Sequence, residues 1–333
     1  MGTLDYLVIL FYFLGLIAVS IVMSRKIKSS EDMFIAGRNS SWWLSGISSY
    51  MTIFSASTFV VWGGVAYKSG LVAVVVAICL GFASLIVGRW ISGKWRSLRI
   101  KSPGEFLTIR FGHSSVSFYT ISGIVARAVH TAVALYAVAV VMCALIKVPD
   151  GSIFASTGMA GDTAAGYLSI WWALLILGAI ALIYTVVGGF LAVLMTDVIQ
   201  FGVLLAVVVF MIPLSFNAVG GVGNFIDSAA QIPGFFSGTS ETYTWAWLLL
   251  WLFLNVAMIG GDWPFVQRYI SVPTRKDAKK STYLIGLLYF LTPLIWYLPT
   301  MIYRVMEPGL ALDADAVTMT YNGEHAYVNM SKM

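Results

Sequence analysis

Residues 184–200 read YTVVGGFLAVLMTDVIQ, an apolar helical pattern that Gly188 and Gly189 interrupt and that resumes around Thr196, Asp197 and Gln200. A glycine pair weakens a helix, because glycine loses the most backbone freedom on folding. A carboxylate within so apolar a run is costly unless it faces a partner or a wet cavity. The stretch therefore predicts two membrane helices joined at a break, with Asp197 as a candidate functional residue.

The composition of the 333-residue chain extends the membrane interpretation to the whole protein. Hydrophobic residues make up 59% of the chain and charged residues 11%, and the mean hydropathy is +0.86. These proportions leave too little polar surface for a soluble domain of this size. Cys79 and Cys143 both lie in apolar runs, so we expect them to fill the core and predict no disulfide framework.

Eight apolar runs approach the ~20 residues that span a bilayer. They cover residues 4–23, 42–67, 70–90, 115–146, 169–187, 190–213, 244–263 and 282–303. The first run has no basic residue ahead of it and three directly behind it, which predicts a retained span with its N-terminus outside. Turn-rich segments at 149–167, 217–244 and 304–333 are then outer loops or short lids.

The basic residues agree with this orientation, because Lys and Arg concentrate on the cytoplasmic side of membrane proteins. The loops predicted to be inside contain Arg25, Lys26, Lys28, Arg38, Lys94, Arg96, Arg99, Lys101, Arg110, Arg268, Arg275, Lys276, Lys279 and Lys280. The net charge of +5 therefore reflects topology and contact with anionic lipid headgroups, and a nucleic-acid partner is not needed to explain it.

The second span contains small hydroxyl residues near its middle, among them Ser55, Ser57 and Thr58. Such residues can line an unwound stretch whose free carbonyls face a cavity, as in transporters that bind substrate and sodium at the midplane. Ser55 and Thr58 are three residues apart and share a helical face. Tight helix packing through small residues explains the same pattern equally well.

Polar residues in three other spans are further candidates. Arg127 and His130 share a face deep in the fourth span, where a cation could hold an anionic substrate group or balance a carboxylate such as Asp197. A structural ion pair or a snorkelling arginine explains Arg127 about as well. Asn255 and Tyr289 are candidate cavity residues of the seventh and eighth spans, with a helix-packing hydrogen bond as the alternative.

Several separated motifs resemble the sodium:solute symporter family, which includes sodium-coupled sugar, proline and sialic acid carriers. They are Ala36-Gly37-Arg38, Trp42-Trp43, Ser55-Ala56-Ser57-Thr58-Phe59, Ala66-Tyr67, Gly70, Tyr184-Thr185, Gly188-Gly189, Ala192-Val193, Thr196-Asp197, Gln200, Val266-Gln267-Arg268 and Gly323-Glu324-His325-Ala326-Tyr327. The motifs follow the family's order across nearly the whole chain, so chance is a poor explanation for the similarity.

The resemblance implies an all-α polytopic membrane protein with the LeuT-like fold of two inverted five-helix repeats. Residues 1–333 would form a single, incomplete transporter domain of about eight transmembrane helices. Its parts would be a leading helix at 4–23, the first repeat (core helices 1–5) at 42–213, core helices 6 and 7 at 244–303, and an outer loop at 304–333. The chain would then correspond to the N-terminal part of a longer transporter, truncated after core helix 7.

The resemblance also implies site residues. The backbone carbonyls of Met51 and Phe54 would bind sodium, with Asp197 as the carboxylate near the inner sodium route. Oxygen ligands of this kind suit a hard cation. Ser55, Ser57, Thr58, Asn255 and Tyr289 would contact solute, with Arg127 or His130 near the position where sialic acid carriers hold a substrate carboxylate.

Departures from the pattern of the sodium-galactose carrier leave the identity of the solute open. Ala77 replaces a carboxylate, Ile53 an amide and Tyr289 a lysine, so a galactose-type polar clamp is not supported. Together with Arg127 and His130, these differences favour an organic anion or an acidic sugar.

The sequence thus predicts a multi-pass protein of the cell membrane, of the bacterial inner membrane type, that imports a small organic solute with sodium by alternating access. It would need no cofactor besides the coupling ion. One alternative is a membrane sensor built on the same fold, and another is an inactive remnant. An enzyme is disfavoured, because the histidines are scattered and neither an HExxH motif nor a catalytic carboxylate pair occurs.

Overall fold

The structure is a computed structural model that describes residues 3–148 and 168–306, together with Ala326 and Met330. These residues form helices almost throughout. In chain order they are α1 (Thr3–Ser24), α2 (Ser30–Ile35), α3 (Trp42–Ile53), α4 (Ala56–Ser69), α5 (Val72–Trp90), α6 (Ser92–Ser97), α7 (Pro103–Phe111), α8 (His113–Leu145), α9 (Ile170–Ala218), α10 (Val222–Ala230), α11 (Trp245–Gly261), α12 (Trp263–Ser271) and α13 (Arg275–Met306). The outer loop predicted at 149–167 lies outside the described residues.

Each of the eight predicted spans coincides with a helix or with a broken pair of helices. By length and apolar composition, five helices can cross a bilayer alone, and the pairs α3/α4 and α11/α12 raise the number to seven within the described ranges. The predicted spans 169–187 and 190–213 form the single element α9, which changes direction at Gly189 (φ 60°, ψ −167°). Glycine adopts this left-handed backbone readily, which explains why the break falls at the glycine pair.

The seventh span differs from its prediction. The sequence pattern gave one run over 244–263, whereas α11 ends at Gly261 and a second helix, α12, continues at 50° to it. The carboxylate of Asp262 accepts a hydrogen bond from the backbone N–H of Trp263 at 2.9 Å, and Pro264 occupies the first turn of α12. Aspartate at an N-cap and proline in the first turn both favour a new helix start, which accounts for the bend.

The last span is also longer than predicted. Helix α13 begins at Arg275 and runs to Met306 with Pro293 and Pro299 inside it, so residues 304–306 of the outer loop predicted at 304–333 are helical. The rest of that segment, apart from Ala326 and Met330, lies outside the described residues. The predicted loop at 217–244 contains the short helix α10, and a role as a lid stays a prediction.

Two compact units make up the chain. Met1–Arg38 and Lys101–Thr196 form the first, and Asn39–Ile100 and Asp197–Met333 form the second. The second unit contains α3 to α6 and α10 to α13, so both broken helix pairs belong to it.

Close packing of α5 against α13 builds the centre of the second unit. A Cβ atom added to Gly88 would lie 2.7 Å from the Tyr283 ring, and one added to Gly286 would lie 3.2 Å from the carbonyl oxygen of Gly81. Small residues let helix backbones approach each other in membranes, where packing rather than hydrophobic exclusion drives association. The glycines therefore fix the register of these two antiparallel helices.

Candidate functional site

The break between α3 and α4 is the geometric centre of the candidate site. Phe54 (φ −73°, ψ 122°) and Ser55 (φ −150°, ψ −180°) are both extended, and the helices on either side make an angle of 67°. The backbone N–H of Ser55 donates to the hydroxyl of Thr58 at 3.2 Å, while the N–H of Thr58 donates to the carbonyl of Ser55 at 2.9 Å. The prediction that Ser55 and Thr58 share a helical face is wrong, because Ser55 is the extended residue before α4 and is bonded to Thr58 at the break.

The break changes what the last carbonyls of α3 can bind. A continuing helix would direct the N–H of Ser55 to the carbonyl of Met51, but this N–H is directed to Thr58 instead. The final carbonyls of any helix have no intrahelical donors. Met51 and Phe54 occupy these terminal positions, and their role as backbone sodium ligands stays a prediction.

Aromatic side chains surround the break. The ring of Phe54 lies 5.0 Å from Trp296, 5.3 Å from Phe59 and 6.0 Å from Tyr50, between centroids. Tyr50 in turn lies 4.7 Å from Tyr289. Large rings from α3, α4 and α13 therefore pack around the break.

A chain of hydrogen bonds fixes the positions of Tyr50 and Trp296 beside the break. Trp296 donates its indole N–H to the hydroxyl of Tyr50 at 2.7 Å, and that hydroxyl lies 2.7 Å from the hydroxyl of Thr292. Thr292 donates to the carbonyl of Leu288 at 2.8 Å, so the proton between Tyr50 and Thr292 belongs to Tyr50. The chain orients Tyr50 and Trp296 and ties α3 to α13.

Asp197 lies in a polar triangle with Ser48 and Arg268. The Arg268 Nη2 atom is 3.1 Å from the Asp197 carboxylate, and Arg268 Nε donates to the Ser48 hydroxyl at 2.8 Å. Ser48 donates its own proton to the same carboxylate oxygen of Asp197. Side-chain exposure is 7% for Arg268 and 17% for Asp197, so both charges are largely removed from solvent and balance each other.

The triangle is close to the break along α3. Ser48 precedes Met51 by three residues, or ~4.5 Å of helix rise. Asp197 is thus held within about one turn of one predicted sodium carbonyl. The guanidinium of Arg268 also donates to the carbonyl of Pro264 at 2.9 Å, which anchors it to the start of its own helix.

Buried serines continue the polar contact between α3 and α12. Ser40 has its hydroxyl 2.7 Å from that of Ser45 and 2.9 Å from that of Ser271, and all three are buried. The backbone N–H of Ser40 also donates to the carbonyl of Ser271 at 3.1 Å. Hydrogen bonds therefore join the start of α3 to the end of α12, in addition to the Arg268–Ser48 hydrogen bond further along α3.

Asn255 is buried on α11 and its amide nitrogen donates to the carbonyl of Trp251 at 2.7 Å. Trp251 packs on Trp62 of α4, with ring centroids 5.8 Å apart, and Ile259 belongs to a cluster that includes Ile53 of α3. Asn255 is one helical turn from both Trp251 and Ile259. It therefore lies at the level of the break between α3 and α4.

Ser57, Arg127 and His130 are the predicted site residues whose side chains the structure does not place at the break. Ser57 lies in the first turn of α4, and its side chain falls outside the described part of the chain. Arg127 is half-buried and His130 is exposed on α8, which belongs to the first unit. The second unit thus gathers Met51, Phe54, Ser55, Thr58, Asp197, Asn255 and Tyr289, and a role for Arg127 and His130 stays a prediction.

Sequence reasoning missed three contributors to this site, Arg268, Ser48 and Tyr50. The sequence offers Arg127 as a partner for Asp197, whereas the structure pairs Asp197 with Arg268. The motif Val266-Gln267-Arg268 carried a signal for Arg268, but only as a family resemblance. Ser48 and Tyr50 sit in an ordinary apolar stretch with no signal of their own.

The chain is similar in sequence and structure to known membrane transporters. The profile of the sodium:solute symporter family matches residues 33–331. The sodium/sialic acid symporter NanT of Aliivibrio fischeri is 27% identical, covering 84% of this chain and 53% of the relative. Sodium/glucose cotransporter 1 of Mus musculus is 26% identical, covering 91% of this chain and 47% of the relative.

A solved structure of a Na⁺-coupled sialic acid symporter, in a substrate-bound outward-open state, superposes with a TM-score of 0.80 at 22% identity and covers 100% of this chain and 66% of the other. This likeness confirms the predicted LeuT-like fold. The chain spans about half the length of the curated relatives above. Its helices are those of a multi-pass protein of the cell membrane, and the chain belongs to the sodium:solute symporter family.

Proposed function

We propose that this chain contributes the sodium- and solute-binding helices of a symporter that moves a small organic solute by alternating access. The observation that carries the proposal is the break at Phe54 and Ser55, where α3 ends in carbonyls that no longer continue a helix. Broken helices with exposed carbonyls near the bilayer midplane are the usual sodium and substrate sites of such transporters.

Sodium would bind to the carbonyls of Met51 and Phe54, with Asp197 on its inner route. A carboxylate and carbonyls are suitable ligands for a hard cation. In the structure Arg268 neutralises Asp197 at 3.1 Å, so an arriving sodium ion competes with the guanidinium for one carboxylate. Occupation of Asp197 by sodium would loosen the contact between α3 and α12, which links ion binding to movement of the inner helix ends.

The solute would bind against the other side of the break. Ser55, Ser57 and Thr58 supply hydroxyls, Asn255 an amide, and Tyr289 an aromatic face beside Tyr50. An acidic sugar or another organic anion is the favoured class. Support comes from the sialic acid specificity named for the relative from Aliivibrio fischeri. The family resemblance alone gives Arg127 or His130 the role of binding the carboxylate of such a solute.

Coupling requires that sodium and solute each bind one conformation better than the other, and that each raises the affinity of the other by the same factor. The test is therefore solute binding with and without sodium, for a panel of acidic sugars, neutral sugars and amino acids. Potassium or choline at equal ionic strength serves as the control. This chain is compared with a version extended to the length of its relatives.

Sodium-dependent binding, with reciprocal enhancement of sodium binding by the solute, is the expected result for the extended version. The responding member of the panel identifies the solute class. Sodium-independent binding in both versions would favour a sensor built on this fold, and no binding in either would favour an inactive remnant.

A further inference from the structure

One face of α13 carries cations at its cytoplasmic end and apolar residues along the rest of its length. Lys276 and Lys280 are exposed, and the same helical stripe continues through Tyr283, Leu287 and Leu291, exposed by 37%, 51% and 58%. The successive spacings are four, three, four and four residues, so these side chains lie one above another. Charged groups at one end and leucines beyond them match the depth profile of a bilayer leaflet.

A second exposed stripe lies beside it on α5. Phe82 and Leu85 are exposed by 51% and 37%, and Arg89 is exposed one turn further towards the cytoplasmic end. Gly88 packs against Tyr283, which sets the two antiparallel helices in register. Arg89 therefore lies at the level of the turn that contains Lys280.

Aromatic residues mark the membrane boundary at the same level. The Nζ atom of Lys280 stands 5.9 Å from the centre of the Trp42 ring, and Trp42 and Trp90 are exposed by 37% and 57%. Tryptophan side chains of this kind lie at the headgroup level of a bilayer. The cations of α5 and α13 are therefore at the depth of lipid phosphates.

Helix stability does not explain these cations. Lys276 and Lys280 form a like-charge pair at i, i+4, near a helix N-terminus whose dipole disfavours positive charge. The nearest carboxylate in sequence, Asp277, accepts a hydrogen bond from Thr274 at 2.6 Å. Within the described residues, no carboxylate forms an ion pair with Arg89, Lys276 or Lys280.

We propose that this α5/α13 face, made of Arg89, Lys276, Lys280, Tyr283, Leu85 and Leu287, binds an anionic phospholipid of the cytoplasmic leaflet. The three cations hold the phosphate, and the exposed apolar side chains contact the acyl chains. Basic clusters between helices on the cytoplasmic side recognise lipid headgroups in this way. A free phosphate ion would use the cations but would leave the adjoining apolar stripe without a role.

The test measures lipid retention by native mass spectrometry. The purified full chain is mixed in detergent with equal amounts of phosphatidylglycerol and phosphatidylcholine, and the bound ratio is read for wild type and for R89Q/K276Q/K280Q. We expect wild type to prefer phosphatidylglycerol and the triple variant to lose that preference by about fivefold per removed cation. The charge-matched control, R25Q/K26Q/K28Q, removes three exposed cations after α1 and should retain it.

A second variant, K276R/K280R, keeps the charge and should bind the lipid as wild type does, which separates loss of the site from misfolding. Equal loss in the triple variant and its control would mean general charge attraction and would overturn the proposal. Thermal stabilisation by inorganic phosphate as large as that by phosphatidylglycerol would overturn it too, because the ligand would then be a soluble anion.

Discussion

Arg268 and Asp197, 71 residues apart in sequence, form an ion pair at 3.1 Å that Ser48 closes into a triangle. Three helices meet in this contact, because Ser48 lies on α3, Asp197 on α9 and Arg268 on α12. Removing one member of such a buried pair leaves an uncompensated charge, typically at a cost of about 3–5 kcal/mol. The triangle therefore ties α3, α9 and α12 together, and in the proposed function its carboxylate is the charge that an entering sodium ion would meet.

Asp197→Asn is expected to weaken the sodium dependence of transport more than the solute affinity at saturating sodium. The amide keeps a similar shape but loses the negative charge that attracts the cation. In a version extended to the length of the relatives, the sodium concentration for half-maximal solute binding should rise by roughly tenfold, a change of ~1.4 kcal/mol.

The matched control for this change is Asp277→Asn, which removes a carboxylate held by Thr274 at the start of α13. It should leave the sodium dependence unchanged. If Asp197→Asn lowers sodium dependence and solute affinity equally, Asp197 acts on the folded structure as a whole and not on the ion.

Ser48→Ala is expected to destabilise the protein, because the hydroxyl both donates to Asp197 and accepts from Arg268. Two buried polar groups lose a partner, and each such loss costs about 1–3 kcal/mol. The neighbouring Ser49→Ala is the control, since within the described part of the chain its buried hydroxyl donates to the carbonyl of Ser45, on its own helix, at 2.8 Å. Thermal unfolding in detergent should show the larger decrease for Ser48→Ala, and equal decreases would contradict the role of the triangle.

Local signals in the sequence predicted the positions of the helices and two of their breaks. Gly188 and Gly189 identified the bend in α9, because left-handed backbone favours glycine. The Ser55 to Thr58 stretch identified the break in core helix 1, because hydroxyl side chains compete with the backbone for hydrogen bonds. Asp262 and Pro264 carried a comparable signal for the start of α12, and the prediction of a single span overlooked it.

Contacts between distant residues could not be predicted in the same way. The sequence presents Asp197 with several candidate cations, and hydropathy does not distinguish Arg127 from Arg268 as its partner. Only the packing of α12 beside α3 selects Arg268. The hydrogen-bond chain from Trp296 to Tyr50 has the same origin, since 246 residues separate its two members.

Thr58→Val is expected to disturb the break directly. Valine has nearly the same shape as threonine but cannot accept the hydrogen bond that the N–H of Ser55 donates at 3.2 Å. An unsatisfied backbone N–H costs about 1–3 kcal/mol, and the helix ends should shift to recover a partner. Sodium-dependent solute binding by the extended version should therefore fall, together with its thermal stability.

Thr52→Val provides the comparison, because the hydroxyl of Thr52 bonds to the carbonyl of Ser48 one turn earlier on α3. Its loss leaves the backbone ladder intact, so binding should change little. A similar loss of binding in both variants would show that the break does not depend on the Ser55–Thr58 bond.

Gly70→Ala is expected to be severely destabilising. Gly70 has φ +57°, and a Cβ atom there would lie 2.1 Å from the carbonyl oxygen of Phe235. That same carbonyl accepts a hydrogen bond from the backbone N–H of Leu71 at 2.9 Å, so the backbone at Phe235 cannot move away without breaking this bond.

Gly234→Ala separates the close contact from the backbone strain, because Gly234 has φ +74° and no atom within 4 Å of the added carbon. The control should lose only the ~1–2 kcal/mol of left-handed strain, whereas Gly70→Ala should lose clearly more in thermal unfolding. Equal losses of stability in the two variants would mean that the backbone at Phe235 moves aside at no cost. The close contact between the end of α4 and the outer loop would then add nothing to stability.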